Sequence, residues 1–108
     1  MTVSARGTFA LKVLATPQLV FMIEDTCVAA VESSLREGQV TLGVRVHVEH
    51  LAPCRPGEAV LVSVLSKSRK GNRLAFTAEA HAGGLLIGRA EHERVIVDLK
   101  SFKARWML

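Results

Sequence analysis

Residues 15–27 read ATPQLVFMIEDTC. At about 100° per residue, Val20, Ile23, Cys27, Val31 and Leu35 share one stripe, the mark of a helix with a single apolar face. Glu24 falls inside that stripe, one turn after Val20 and one turn before Val28. Gln18, Asp25 and Glu32 fall on the other side, where polar groups belong. A carboxylate on the side of a helix that should meet the core calls for an explanation.

The flanking residues give the helix its ends. Thr16-Pro17 suits a start, because threonine caps well and proline is favoured at the first helical position. Gly38 suits a stop, after a helix running to about Leu35. Ahead of it, residues 8–14 read as a first strand. Behind it, residues 39–51, QVTLGVRVHVEHL, alternate with period two. Val40, Leu42, Val44, Val46 and Val48 share one face, and Thr41, Arg45, His47 and Glu49 share the other. Residues 52–57, APCRPG, form a loop. Residues 58–67 form a third strand and residues 73–81 a fourth, with a hairpin turn at Lys70-Gly71-Asn72. Gly83-Gly84 is a second turn, and residues 85–97 are a long fifth strand.

One helix with one apolar face, followed by strands with one apolar face, predicts an α+β architecture: a five-stranded antiparallel sheet wrapped around one long helix. The 108 residues fit a single domain, 1–108. Hydrophobic residues make up 49% and charged residues 22%, a globular composition with few aromatics and therefore an aliphatic core. A small sheet leaves edges that dimerisation would cover.

The formal charge of +4 favours anionic partners. The basic residues are scattered, and no nucleic-acid module or row of stacking aromatics accompanies them, so nucleic acid is not expected. No apolar run is long enough to span a bilayer and no signal peptide is visible, which makes a cytoplasmic protein the expectation. Cys27 and Cys54 have neither metal nor redox spacing, and the four histidines lack ligand spacing, so no metal is expected. A phosphate-cradling glycine loop and a nucleophile elbow are both absent.

The apolar parity of the second strand, extended one step past Val48, reaches His50. Glu24 and His50 thus break apolar patterns on two elements expected to face each other. A carboxylate in a partly dry pocket is a candidate base or nucleophile, and a histidine beside it can orient it or move its proton. Thr16, at the helix start, adds a hydroxyl where backbone N–H groups and the positive end of the helix dipole converge. Plainer readings stand beside these. Thr16 is explained by capping alone, Glu24 by a pair with an arginine such as Arg45 or Arg94, and His50 by a ring in solvent. His81 and His92 read as surface or hydrogen-bonded strand residues. The small residues Gly88 and Ala90, beside Glu91-His92-Glu93-Arg94, suit a close approach by backbone or ligand.

VLATPQLVFMIEDTC, the HLAP turn with its later PG, RLAFTAEAHAGGLLIGRAEHERVIV and the trailing SFKAR, in that order, resemble the hot-dog thioesterases of the fluoroacetyl-CoA thioesterase-like group. The resemblance runs from about Val13 to Arg105. It implies a hot-dog fold, a homodimer or a pair of dimers with active sites at the subunit interface, and hydrolysis of acyl-CoA thioesters without metal or added cofactor, CoA being part of the substrate. The family's catalytic threonine, glutamate and histidine match Thr16, Glu24 and His50. Ala90 and Glu91 depart from the family pattern, which often has a glycine and then a hydroxyl residue there. Arg55, Arg69 and Lys70, on loops, are candidates to meet the CoA phosphates. The alternatives are a non-catalytic acyl-CoA or acyl-carrier binding module, a hot-dog dehydratase, and a structural dimer with a buried Glu–Arg pair. The place of Glu24 on the helix argues against the dehydratase.

Overall fold

The computed structural model describes residues 3–4, 12–13, 15–55 and 57–108. The element order is β1 (Val3–Ser4), β2 (Lys12–Val13), α1 (Thr16–Glu32), β3 (Gln39–His50), β4 (Val60–Lys70), β5 (Arg73–Ala82), β6 (Leu85–Asp98) and α2 (Leu99–Trp106).

The expectation of five strands wrapped around one long helix is overturned. Among the described residues the main sheet has four antiparallel strands in the order β3-β6-β5-β4, and there are two helices. The first strand expected over residues 8–14 is described only at Lys12–Val13. These residues pair with Val3–Ser4 in a separate two-stranded ribbon instead of joining the sheet. The rest of that stretch lies outside the described residues. The second helix comes from a cap that period-two reading overlooks. Asp98 Oδ1 accepts from Ser101 N–H at 2.8 Å, which ends β6 and opens α2. Lys103 and Arg105 sit in its last turn, where cations oppose the negative end of the dipole.

α1 buries Leu19, Ile23, Cys27 and Val31. This is an i, i+4 row, one step from the Val20 stripe at its start, and it lies on the inner face of the sheet. That face carries Leu74, Phe76, Ala78, Ala80 and Ala82 from β5 and Ile87, Ala90 and Ile96 from β6. α1 ends at Glu32 rather than near Leu35, with Ser33 as its C-cap. Gly38, expected as the stop, turns the chain into β3 with φ +83°. Both hairpin turns are where the sequence places them: Lys70 pairs with Arg73 and Ala82 with Leu85. Gly83 and Gly84 have φ of +56° and +79°, the left-handed conformations a two-residue hairpin turn demands.

β3 does not keep one parity. Its register against β6 shifts between Gly43 and Arg45. Before the bulge, Thr41 and Gly43 pair with Ile96 and Arg94; after it, Val46, Val48 and His50 pair with His92, Ala90 and Gly88. Directly paired residues share a face, so the inner face passes from odd to even positions along β3. The single apolar face expected for Val40 to Val48 is corrected accordingly, and Val44, at the bulge, is half exposed.

Candidate active site

Thr16 is the first residue of α1, and Ala15 holds the cap position without a side-chain cap bond. The end of the helix is closed by Gln18, whose Oε1 accepts from Ala15 N–H at 3.0 Å. The capping role expected of Thr16 is therefore not the one it has, and Pro17 occupies the second helical position. The Thr16 hydroxyl goes to His50: Oγ1 lies 2.9 Å from Nδ1 across 34 residues of sequence. The other ring nitrogen, Nε2, is buried and has no hydrogen-bond partner among the described residues. A buried imidazole nitrogen without a partner is costly unless something binds there.

Gly88 makes that meeting possible. It pairs with His50 across β3 and β6. A Cβ on Gly88 would come within 2.8 Å of Leu19 Cδ2 and 3.3 Å of the Glu49 carbonyl oxygen. The first turn of α1 thus rests directly on the glycine backbone. The close approach at Gly88, expected from backbone or ligand, is made chiefly by the Leu19 side chain, with the Glu49 carbonyl beyond it.

Glu24 stands elsewhere. Its Oε2 lies 3.8 Å from Arg94 Nη1 and 4.0 Å from His92 Nε2, with about a third of its side chain exposed. The arginine partner is Arg94; Arg45 instead bonds Glu91 and Glu93 at 3.2 and 3.1 Å. Eight residues of helix separate Glu24 from Thr16, about 12 Å along the axis at 1.5 Å per residue. Within one chain, Thr16 and His50 meet and Glu24 does not join them.

The cluster that receives Glu24 joins Arg94, one of the two arginines the sequence offers as its partner, to His92, whose part the sequence did not reveal. His92 and Arg94 are buried at 2% and 8% exposure. His92, expected at the surface or hydrogen-bonded within a strand, is buried and hydrogen-bonded, and Phe76 stacks on it with ring centroids 6.1 Å apart. Gly43 leaves the space in which the groups converge: a Cβ there would lie 3.2 Å from Arg94 Nη1, 3.3 Å from Glu24 Oε2 and 3.4 Å from His92 Cε1. The signal was present in the sequence as a glycine inside a strand, which often marks a bulge or a close approach.

Cys27, one turn beyond Glu24 on α1, has its thiol pushed up to about 11, chiefly by burial. The Arg94 charge opposes that shift and the Glu24 charge adds to it. At neutral pH it is an inert thiol. Of the three candidates for phosphate contact, Arg69 folds back onto its own turn, its Nε donating to Gly71 O at 2.8 Å, while Arg55 and Lys70 are exposed. Among the described residues, no group of three His, Cys, Asp or Glu is placed to hold a metal ion. No described helix is long and apolar enough to cross a membrane.

The profile of the fluoroacetyl-CoA-specific thioesterase family matches residues 1–100. A fluoroacetyl-CoA thioesterase of Streptantibioticus cattleyicolor is 36% identical over 94 residues, 87% of this chain and 68% of that protein. A point mutant of the fluoroacetyl-CoA-specific thioesterase FlK, solved in complex with fluoroacetate and CoA, superposes with a TM-score of 0.84 at 35% identity, covering 96% of this chain and 81% of that one. A Thermus thermophilus protein of the thioesterase superfamily superposes with a TM-score of 0.86 at 30% identity, covering 99% and 80%. The chain belongs to the fluoroacetyl-CoA-specific thioesterase family of hot-dog thioesterases.

Proposed function

We propose that this protein hydrolyses acyl-CoA thioesters, taking an acyl-CoA and water to the free acid and CoA thiol, at a site formed by Thr16 and His50 of one protomer and Glu24 of its partner in a homodimer. The observation that carries the reading is the Thr16–His50 pair with its unpartnered buried Nε2, together with the separation of Glu24 from it. Family membership and the acyl-CoA substrate of the relatives support it. β3 is an edge strand whose Val44 and Val46 are 50% and 41% exposed, an apolar edge suited to pairing with a second copy.

In this mechanism the Thr16 hydroxyl donates to His50 Nδ1. That leaves Nε2–H as a donor for the thioester carbonyl oxygen, where negative charge develops in the transition state. Glu24 supplies the carboxylate. It either attacks the carbonyl carbon, the C–S bond breaking to release CoA thiolate and water then hydrolysing the acyl–Glu24 anhydride to the free acid, or takes a proton from the water that attacks, the C–S bond then breaking and Glu24 returning that proton to the CoA thiolate. Arg94 lies too far from Glu24 for a direct hydrogen bond, so both carboxylate oxygens stay available to water or substrate.

Thiol release from a panel of short, medium, aromatic and fluorinated acyl-CoAs tests the reading, with wild type and Glu24→Gln side by side. Turnover in wild type that collapses in folded Glu24→Gln supports it. Binding of acyl-CoA with no turnover of any ester returns the protein to a binding module.

A further inference from the structure

Two buried ionisable side chains, His92 and Arg94, take no part in the bond changes just described. Their hydrogen bonds are nonetheless fully specified. Arg94 Nε donates to Thr41 Oγ1 at 2.7 Å and Nη2 donates to Thr41 O at 2.9 Å. Nη1 lies 3.1 Å from His92 Nε2, and a guanidinium can only donate, so Nε2 accepts. His92 Nδ1 lies 2.8 Å from Arg45 O, and a carbonyl can only accept, so Nδ1 carries the proton. Both contacts require the same neutral tautomer. Phe76 from β5 stacks on the ring, and Glu24 from α1 stands beside it.

Thr41 O and Arg45 O lie on either side of the β3 bulge. The two side chains therefore grip the irregularity at both ends. The bulge decides which way His50 faces. A regular strand that put Thr41 and Gly43 on the inner face would continue with the odd positions and turn His50 outward, away from Thr16. The extra residue at the bulge restores the inward orientation.

We propose that His92 and Arg94 are positioning residues: their hydrogen bonds to the Arg45 and Thr41 carbonyls lock the bulge that turns His50 toward Thr16, while the Arg94 guanidinium sets a positive charge 3.8 Å from the Glu24 carboxylate without bonding it. This assignment rests on the Thr16–Glu24–His50 reading above. Because Glu24 of the same chain belongs to the other site of the dimer, one buried pair stands beside one half of each of two sites.

The test compares wild type, His92→Leu and His92→Asn, with two readouts. The first is the ring nitrogen NMR signals of His50, which report its bond to Thr16 whether or not the protein turns over. The second is thioester kinetics. The side-chain amide of His92→Asn can take the place of Nδ1 and keep the bond to Arg45 O, whereas His92→Leu cannot. The expected result is a change of the His50 signals in His92→Leu and a fall in kcat of about 10²-fold, the scale of a 1 Å misplacement. His92→Asn should recover most of both. If His92→Leu fails to fold, Arg94→Met, which removes the donor to the Thr41 carbonyl, takes its place with the same two readouts. A lower melting temperature with unchanged His50 signals and unchanged kcat would overturn the assignment. Wild type without turnover but with His50 signals that respond to His92→Leu would overturn the thioesterase reading and leave the bulge lock standing.

Discussion

Gly88 and Leu19 meet so closely that a Cβ on the glycine would stand 2.8 Å from Leu19 Cδ2. Leu19 is completely buried, so its methyl group has little room to retreat. Because Gly88 is the β6 partner of His50, whatever lifts α1 from this spot also lifts Thr16 from the imidazole. Gly88→Ala is expected to cost about 1–3 kcal/mol by overpacking. Its activity should fall further than the loss of folded protein explains. Thermal melts and kinetics on the same samples check this; a stable, fully active Gly88→Ala would show that the contact does not set the site.

Glu24→Gln should fold. Arg94 keeps its bonds to Thr41 and His92 when Glu24 loses its charge, and the Glu24 side chain is one-third exposed, so solvent screens the pair. The expected cost is about 1 kcal/mol or less, as for partly exposed ion pairs. Denaturant unfolding measures it. A loss of about 3 kcal/mol or more, the cost of breaking a buried pair, would make Glu24 a structural residue.

Sequence reading reached the site by an incomplete route. The buried row of α1 was legible from Ile23 to Val31, though Leu19 rather than Val20 begins it, and the hairpin turns were legible because glycine favours the positive φ they need. Glu24 stood out as a charge inside the apolar stripe. His50 was picked out by carrying strict alternation from Val40 to position 50, yet the strand is bulged. It faces inward because the extra residue near Val44 shifts the parity, a register event that needs the partner strand to be seen. α2 was missed because its signal is a single aspartate cap after a long strand. The burial of His92 and Arg94 was missed because Glu91-His92-Glu93-Arg94 reads as a solvated run; on β6 its alternate residues face opposite sides of the sheet.

Cys27 should be silent in a thiol-release assay. With its thiol pushed up to about 11, mainly by burial, the folded protein should react with a disulfide reagent at neutral pH far more slowly than the unfolded chain does. Mass spectrometry of labelled peptides, with and without denaturant, checks this. Rapid labelling of Cys27 in the folded protein would place it in contact with solvent.

The cap of α2 should be acid-sensitive. The Ser101 backbone N–H, then its hydroxyl, hold Asp98 below the ordinary aspartate value of 3.8. A group whose folded value is lowered contributes stability that is present above its unfolded value and lost as pH falls through the folded one. Helical NMR shifts over Leu99–Trp106 should therefore persist at neutral pH and fade below the ordinary aspartate range, and Asp98→Ala should weaken them at every pH. An α2 signal in Asp98→Ala equal to wild type would remove the cap from the account.

The composite site is tested most directly by mixing two inactive proteins, Glu24→Gln and His50→Ala, under conditions where protomers exchange. A mixed dimer then holds one intact site, Glu24 from the His50→Ala chain with Thr16 and His50 from the Glu24→Gln chain. Random pairing predicts recovery of about one quarter of wild-type thioester hydrolysis. No recovery after confirmed exchange, from two parents that are each folded and inactive, would contradict a site shared between protomers.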